Sequence, residues 1–317
     1  MNLSPRRRQT VLVWLVAMIV VAVAVVATVL LTDHSSGRTA QGAPTGSPSS
    51  PAGASTNPGS VASGPGLASP SPSASLAAPA PSASVSIPPR PPEDQPGPVI
   101  LVPGYGGDAS MLDNLAILLR KHGRTTVTLA LPDDATGDFH GQEQVLAAQV
   151  NKSLASGTKS VDLVGYSAGG IVVGLFVAAD PSVVRRVVTI GSPLHGTRLA
   201  GLAAGILPSA CPIACEQMVP GSALLASLTA ASPTVTGVPW LSMWTSTDQV
   251  VTPPDSARFA GATNVELQSV CADDQATHIT LPTDPLAEAL TLQALGGSGL
   301  PLKSPSAAEC TSLRALG

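Results

Sequence analysis

Beyond residue 97 the chain alternates between two patterns. Short runs of consecutive apolar residues read as buried strands, and stretches whose apolar side chains recur every three or four positions read as helices. "PVILVPG" (Pro98–Gly104) is the first strand. In Ser110–Gly123 the side chains of Leu112, Leu115 and Leu119 share one helical face, and Gly123 suits a left-handed stop. "TTVTLALP" closes a second strand at Pro132, and Gln142–Gly157 is a helix with Leu146, Val150 and Leu154 four apart. The alternation continues with strand "SVDLVG", helix "AGGIVVGLFVAAD" and strand "VVRRVVTIGSP". "EQMVPGSALLASL" reads as a helix with a proline near its start, "VPWLSMWTSTD" and "TNVELQSVC" as strands, and "DPLAEALTLQAL" as the last helix. Strands separated by helices pair in parallel through right-handed crossovers, so the expected fold is an α/β sheet with helices on both faces. Ligands of such sheets sit at the carboxyl ends of the strands, which directs attention to the residues just after each strand.

Upstream the pattern changes twice. Val11–Leu31 carries no charge and follows Arg6, Arg7 and Arg8. An apolar helix of ~20 residues crosses a bilayer, and flanking arginines stay on the cytoplasmic side. Residues 1–10 are therefore expected in the cytoplasm, 11–31 across the cell membrane as a retained signal-anchor, and all that follows outside. The competing reading is a cleaved signal peptide and a secreted protein. Its apolar core would be shorter, roughly 7–15 residues, and "ATVLLTDH" is a poor cleavage site. Residues 32–96 are rich in proline, serine, alanine and glycine and nearly devoid of large apolar side chains. Such a segment cannot bury enough surface to offset its chain entropy, and a disordered spacer is expected. Residues 97–296 form one domain and 297–317 a tail. With 16 Lys and Arg against 20 Asp and Glu, and no basic stripe after Arg8, the charge argues against a nucleic-acid partner; a monomer is expected.

The sharpest chemical signal is Gly165-Tyr166-Ser167-Ala168-Gly169, at the junction of a strand and a helix. A serine on so tight a turn is held above the sheet, and the glycines two before and two after it are expected to face each other where side chains would collide. The new helix aims its first N–H groups at the site. A serine hydroxyl needs a base. Of five histidines, His34 is in the spacer, His122 ends a helix and His140 is placed in a loop. His278 lies between the last strand and the last helix; His195, in "GSPLHGT", is the second choice. For the acid that would hold the base, Asp248 stands at the end of the strand "LSMWTSTD", with Asp255, Asp273 and Asp274 as rivals. The backbone N–H groups of Ala168 and of Tyr105, in the glycine-rich loop "VPGYGG", are the candidate donors to an oxyanion.

These pieces, together with "IGSPLHGTRLA", "QMVPGSALLASL", "WTSTDQVV" and "THITLPTDP", occur in an order that resembles the small bacterial triacylglycerol lipases and esterases of the α/β-hydrolase superfamily, the class 2 lipase type. The resemblance spans most of Pro98–Leu295. It implies an α/β-hydrolase fold with a minimal lid or none, a triad of Ser167, Asp248 and His278, an oxyanion hole at Tyr105 and Ala168, and a lipid or acyl-ester substrate without a cofactor. Two departures stand out: Pro103-Gly104 replaces the usual His-Gly, and Tyr166 replaces the usual histidine before the serine. An acyltransferase for the cell envelope, or a non-catalytic lipid-binding domain on the same scaffold, remains open. The stretch Leu199–Cys215 alone has room for a lid and is read as an apolar rim.

The four cysteines all lie beyond the spacer, which suggests disulfides rather than a metal site, since "CPIAC" is a weak zinc pattern. Cys211 and Cys215 are neighbours in a proline-containing loop. That pairing leaves Cys271 with Cys310, a bond that would pin the tail beside His278.

Overall fold

The computed structural model describes residues 90–296 and 305–317. Among these residues no helix is long and apolar enough to cross a membrane. The apolar run Val11–Leu31 and nearly all of the spacer lie outside them, as do residues 297–304 of the tail.

Six parallel strands form one sheet: β1 (Val99–Val102), β2 (Thr126–Thr128), β3 (Val161–Tyr166), β4 (Val184–Ile190), β5 (Trp240–Trp244) and β6 (Thr263–Glu266). Their order is β2-β1-β3-β4-β5-β6. The chain steps outward from β1 to β2 and then returns to the other side of β1, so the direction of winding reverses between β1 and β3. In open α/β sheets ligands bind at such a reversal, outside the carboxyl ends of the strands.

Alternation along the strands divides the core in two. Ile100, Val102, Leu163, Val187 and Trp240 face the helices α2 (Phe139–Ala155) and α3 (Gly169–Ala179). Val99, Leu101, Val164, Val188, Leu241 and Met243 face α1 (Asp113–Lys121) and α5 (Pro285–Gly296). Nine of the eleven residues of α3 are buried, as expected of a helix that is apolar on every side. In α1 the predicted face is buried as Leu115 and Leu119, and Leu112 ends the short 3-10 turn that leads into it. Gly123 after it has φ +78°, the left-handed stop read from the sequence.

Several boundaries differ from expectation for identifiable reasons. α2 begins at Phe139 because Asp138 caps it through the His140 N–H, so His140 is helical rather than in a loop. The expected helix Glu216–Leu228 is two, Ile213–Gln217 and Ala223–Ser227. Pro220 and Gly221 (φ +81°) turn the chain between them, and the Ser222 side chain caps the second. The strand ending at Cys271 stops at Glu266, which pairs with the last residue of β5; Leu267–Val270 then coil into one helical turn.

The spacer boundary also moves. Residues 90–96, assigned to the spacer by composition, pack against the domain. Both Arg185 and Arg186, side by side at the start of β4, are buried, and the carboxylate of Glu93 lies 3.5 Å from Arg185 and 3.0 Å from Arg186. Arg90 donates to the Arg185 carbonyl. Asp162 at the start of β3 is fully buried and accepts from Arg185 and, at 2.5 Å, from Arg124. The same arginines cap the carbonyls of Ala294 and Leu295 at the end of α5, where the helix dipole favours positive charge. One charge cluster thus joins the lead-in segment, two central strands and the last helix, at the amino ends of the strands.

The cysteines pair as Cys211–Cys215 and Cys271–Cys310, the expected pairing. The stretch read as an apolar rim is helical over Arg198–Ile206, here α4, capped by Thr197. It leaves Leu199, Leu202, Ile206, Leu207 and Ile213 exposed.

Candidate functional site

The site forms where the winding reverses. β3 ends at Tyr166, Ser167 takes φ +52°, and α3 starts two residues later. A non-glycine residue in that region is strained, and the surroundings must hold it there. Here the Ser167 N–H donates to the Ile190 carbonyl at 2.8 Å, and Gly170 N–H bonds back to the Ser167 carbonyl. The two glycines of the turn do not face each other. A Cβ on Gly165 would lie 2.6 Å from the backbone of Gly170, whereas one on Gly169 would lie 2.3 Å from the Val102 carbonyl at the end of β1. The helix starts so tightly that the strand abuts its second glycine, which leaves Gly169 to fit against β1. The loop after β1 is equally close, since a Cβ on Gly104 would come within 2.8 Å of the serine Cβ. Tyr105 follows directly, in a turn closed by Gly107 N–H on the Gly104 carbonyl. Its phenol is pushed up by burial. Ala168 sits at the N-terminal cap of α3, where amide groups have no partner within the helix.

Ser167 Oγ lies 2.9 Å from Nε2 of His278, and Nδ1 of the same ring lies 2.7 Å from Asp248 Oδ2. The carboxylate can only accept, so Nδ1 carries the proton between them, and in the neutral ring Nε2 is left to accept from the serine. All three side chains are buried. Asp248 is not the end of a strand: β5 stops at Trp244, and Asp248 stands on the turn that follows. That turn aims it, because Oδ1 accepts from the N–H groups of Val250 and Val251, each at 2.8 Å, and only Oδ2 is free for the ring.

The loop carrying His278 is fastened from several sides. Thr245 and Thr247 both donate to the Ala276 carbonyl. The Gln268 side chain bridges Ser246 N–H, the Thr245 hydroxyl and the Asp274 carbonyl. Asp274 accepts from Ala276 N–H and from Arg314 of the tail, and the Cys271–Cys310 bond holds the tail in place. Among the described residues no group of three or more histidines, cysteines and acids is arranged to hold a metal.

The sequence pattern that defines the Alpha/beta hydrolase family matches residues 99–308. The chain belongs to the alpha/beta hydrolase family. Among curated relatives it is 28% identical over 186 residues to Lipase B of Pseudozyma antarctica, a match covering 55% of this chain and 54% of that protein. It is 32% identical over 118 residues to a triacylglycerol lipase of Pseudarthrobacter phenanthrenivorans, covering 35% of this chain and 37% of the relative. The chain therefore spans about half or less of the curated relatives it matches. Two solved structures share the fold. Aspergillus fumigatus lipase B gives a TM-score of 0.55 at 22% identity, over 73% of this chain and 64% of that one. Bacillus licheniformis lipase BlEst2 in its propeptide form gives 0.54 at 21%, over 67% and 53%.

Within this alpha/beta hydrolase the rival residues are engaged elsewhere. His195 is exposed, with Nδ1 3.1 Å from the Ser256 carbonyl. Asp255 is exposed on a 3-10 turn, and Asp273 is an exposed partner of Arg314. What the sequence reading missed is the support around His278. Its signals were present as "TST" just before Asp248 and as the tyrosine that replaces the usual histidine before Ser167.

The tail bond yields a direct expectation. Breaking a crosslink between residues 39 apart removes a constraint on the unfolded chain that a loop-entropy argument puts at about 4 kcal/mol. Cys310→Ser is expected to lower the melting temperature far more than Cys215→Ser, whose partner is four residues away. Thermal unfolding of both variants checks the order.

Proposed function

We propose that the protein is a serine carboxylic-ester hydrolase of the lipase and esterase type. The observation that carries this reading is the continuous hydrogen-bonded chain from Ser167 through His278 to Asp248 on a strained turn at the sheet's reversal point. The relatives named as lipases support an acyl-ester substrate. Ser167 Oγ attacks the ester carbonyl carbon while His278 Nε2 takes its proton. The negative oxygen that forms is met by the backbone N–H groups of Ala168 and Tyr105. Collapse expels the alcohol, which leaves with the proton from His278, and an acyl group remains on Ser167. Water, deprotonated by the same nitrogen, then releases the acid. Asp248 holds the ring in one tautomer and stabilises it when charged.

The test is a chain-length series of p-nitrophenyl esters with mass analysis after a fluorophosphonate probe. Turnover, and an adduct on the Ser167 peptide, are expected, and both are expected to persist in EDTA. Absence of both sinks the reading. Products that transfer the acyl group to an added alcohol in preference to water would move it to the acyltransferase class.

The reading includes location. Arg6–Arg8 and Val11–Leu31 support a single-pass anchor with the catalytic domain outside the cytoplasm. Full-length protein is expected in the membrane fraction, and protease added to intact cells is expected to release the domain by cutting the spacer. A soluble mature form that begins after Leu31 would instead establish the cleaved signal.

A further inference from the structure

We propose that Tyr166, the residue before the serine, is a positioning residue for the base, its hydroxyl fastening the His278 main chain so that Nε2 meets Ser167. The proposal rests on the assignment of Ser167, His278 and Asp248 as the reacting set. Its geometry is independent of how the loop is fastened elsewhere.

The Tyr166 hydroxyl donates to the His278 carbonyl at 2.8 Å, joining residues 112 apart in sequence. The two rings also lie beside each other, with centroids 5.4 Å apart and planes tilted by 33°. One side chain therefore limits both the backbone and the imidazole of the same histidine. The loop's own bonds close a turn across His278, with Thr277 tied to Thr280 through main chain and hydroxyls, but leave the His278 carbonyl unused. Thr277 offers its carbonyl to the N–H groups of Thr280 and Leu281, whereas among the described residues no backbone N–H donates to the His278 carbonyl. The next fastening upstream is at Ala276, through Thr245 and Thr247. Within this turn the bonds that tie His278 itself to other parts of the fold are those to Asp248, to Ser167 and to Tyr166.

Where the tyrosine stands makes its hydroxyl a useful reference. It is the last residue of β3 and lies opposite Ile190 in the parallel register, and Ile190 also receives the Ser167 N–H. Nucleophile and clamp thus stand on one rigid strand end, and the distance from Ser167 Oγ to His278 Nε2 is set from the serine's own side. Burial, and secondarily the charge of Asp248, raise the phenol's pKa, so it stays a proton donor over the range in which enzymes work. A buried tyrosine hydroxyl needs an acceptor in any case, and the plain alternative is that this carbonyl merely satisfies it. That alternative predicts lost stability without a specific loss of chemistry.

Tyr166→Phe keeps the ring and deletes the donor. A reacting group displaced by about 1 Å loses of order 100-fold in rate, so kcat is expected to fall by roughly 10- to 100-fold with KM changed by less than about threefold. The low-field proton resonance of the Nδ1–H shared by His278 and Asp248 is expected to shift or broaden. Val150→Ala, in α2, serves as the stability control, expected to lower the melting temperature without altering kcat or that resonance. A kcat within about twofold of wild type overturns the proposal, as does a loss no greater than that of Val150→Ala at a matched fall in melting temperature. If the wild-type protein turns over no ester, the assignment of the reacting set has failed. The resonance then decides alone: unchanged in Tyr166→Phe it refutes the clamp, and lost it supports the clamp.

Discussion

Replacing Ser167 with alanine is expected to reduce ester turnover by about 10⁶-fold, the loss that follows removal of a triad nucleophile, while the domain stays folded. The substitution removes one oxygen. The bond from the residue's N–H to the Ile190 carbonyl is made by the backbone, and the Cβ that Gly104 accommodates remains. Alanine also inherits the strained φ of +52°. Glycine does not, so Ser167→Gly should be as inactive as the alanine variant yet more stable by about 1 kcal/mol. Initial rates on a p-nitrophenyl ester and thermal unfolding of the two variants check both parts. Near wild-type turnover in either would remove Ser167 from the mechanism, and equal stability would show that the turn is not strained.

The second large effect is expected far from that serine. Asp162→Ala should cost about 3–5 kcal/mol of stability, as breaking a buried ion pair from one side does. Asp162 is fully buried, and its Oδ2 is shared by Arg185 and Arg124. Arg185 is 2% exposed, so the variant leaves a guanidinium with the Leu295 carbonyl and a distant Glu93 oxygen as its remaining partners. Removing the Arg185 charge as well, as in Asp162→Leu with Arg185→Met, should recover part of the loss, because the apolar pair needs no partners and Arg124 keeps the Leu295 and Gly97 carbonyls. Urea unfolding of the single and double variants measures this, and kcat of the folded fraction should not change. A single variant as stable as wild type would mean that water reaches the cluster.

The element order was legible in the sequence because short apolar runs and helical three-to-four periodicity are local and the helices that separate the strands leave parallel pairing as the simplest outcome. The same locality brought out Ser167 and Asp248, each placed soon after a strand, and His278, in the loop between the last strand and the last helix; the structure joins all three by hydrogen bonds. Where the reading went astray, the cause was distant in sequence. Glu93 looks like spacer until two buried arginines at the start of β4 are seen to need its carboxylate. Gly165 abuts the backbone of both Gly169 and Gly170, while the side Gly169 leaves bare faces the end of β1, because the start of a helix decides where each glycine points. Pro220 reads as a tolerable feature of one helix until Gly221 and the Ser222 cap show that the chain stops and restarts. The hydroxyls of Thr245, Thr247 and Tyr166 carry no periodicity, and only the folded chain brings them to the loop they hold.

Where the lead-in segment grips the domain determines what a pull on the chain does. Arg90 and Glu93 hold Arg185 and Arg186 at the amino ends of the central strands, and Ser167 lies past the carboxyl end of β3. The six residues of β3 separate the two by about 20 Å. A pull applied at Arg90 would load the base of the sheet and the foot of the last helix, along a line of force that bypasses Ser167, His278 and Asp248.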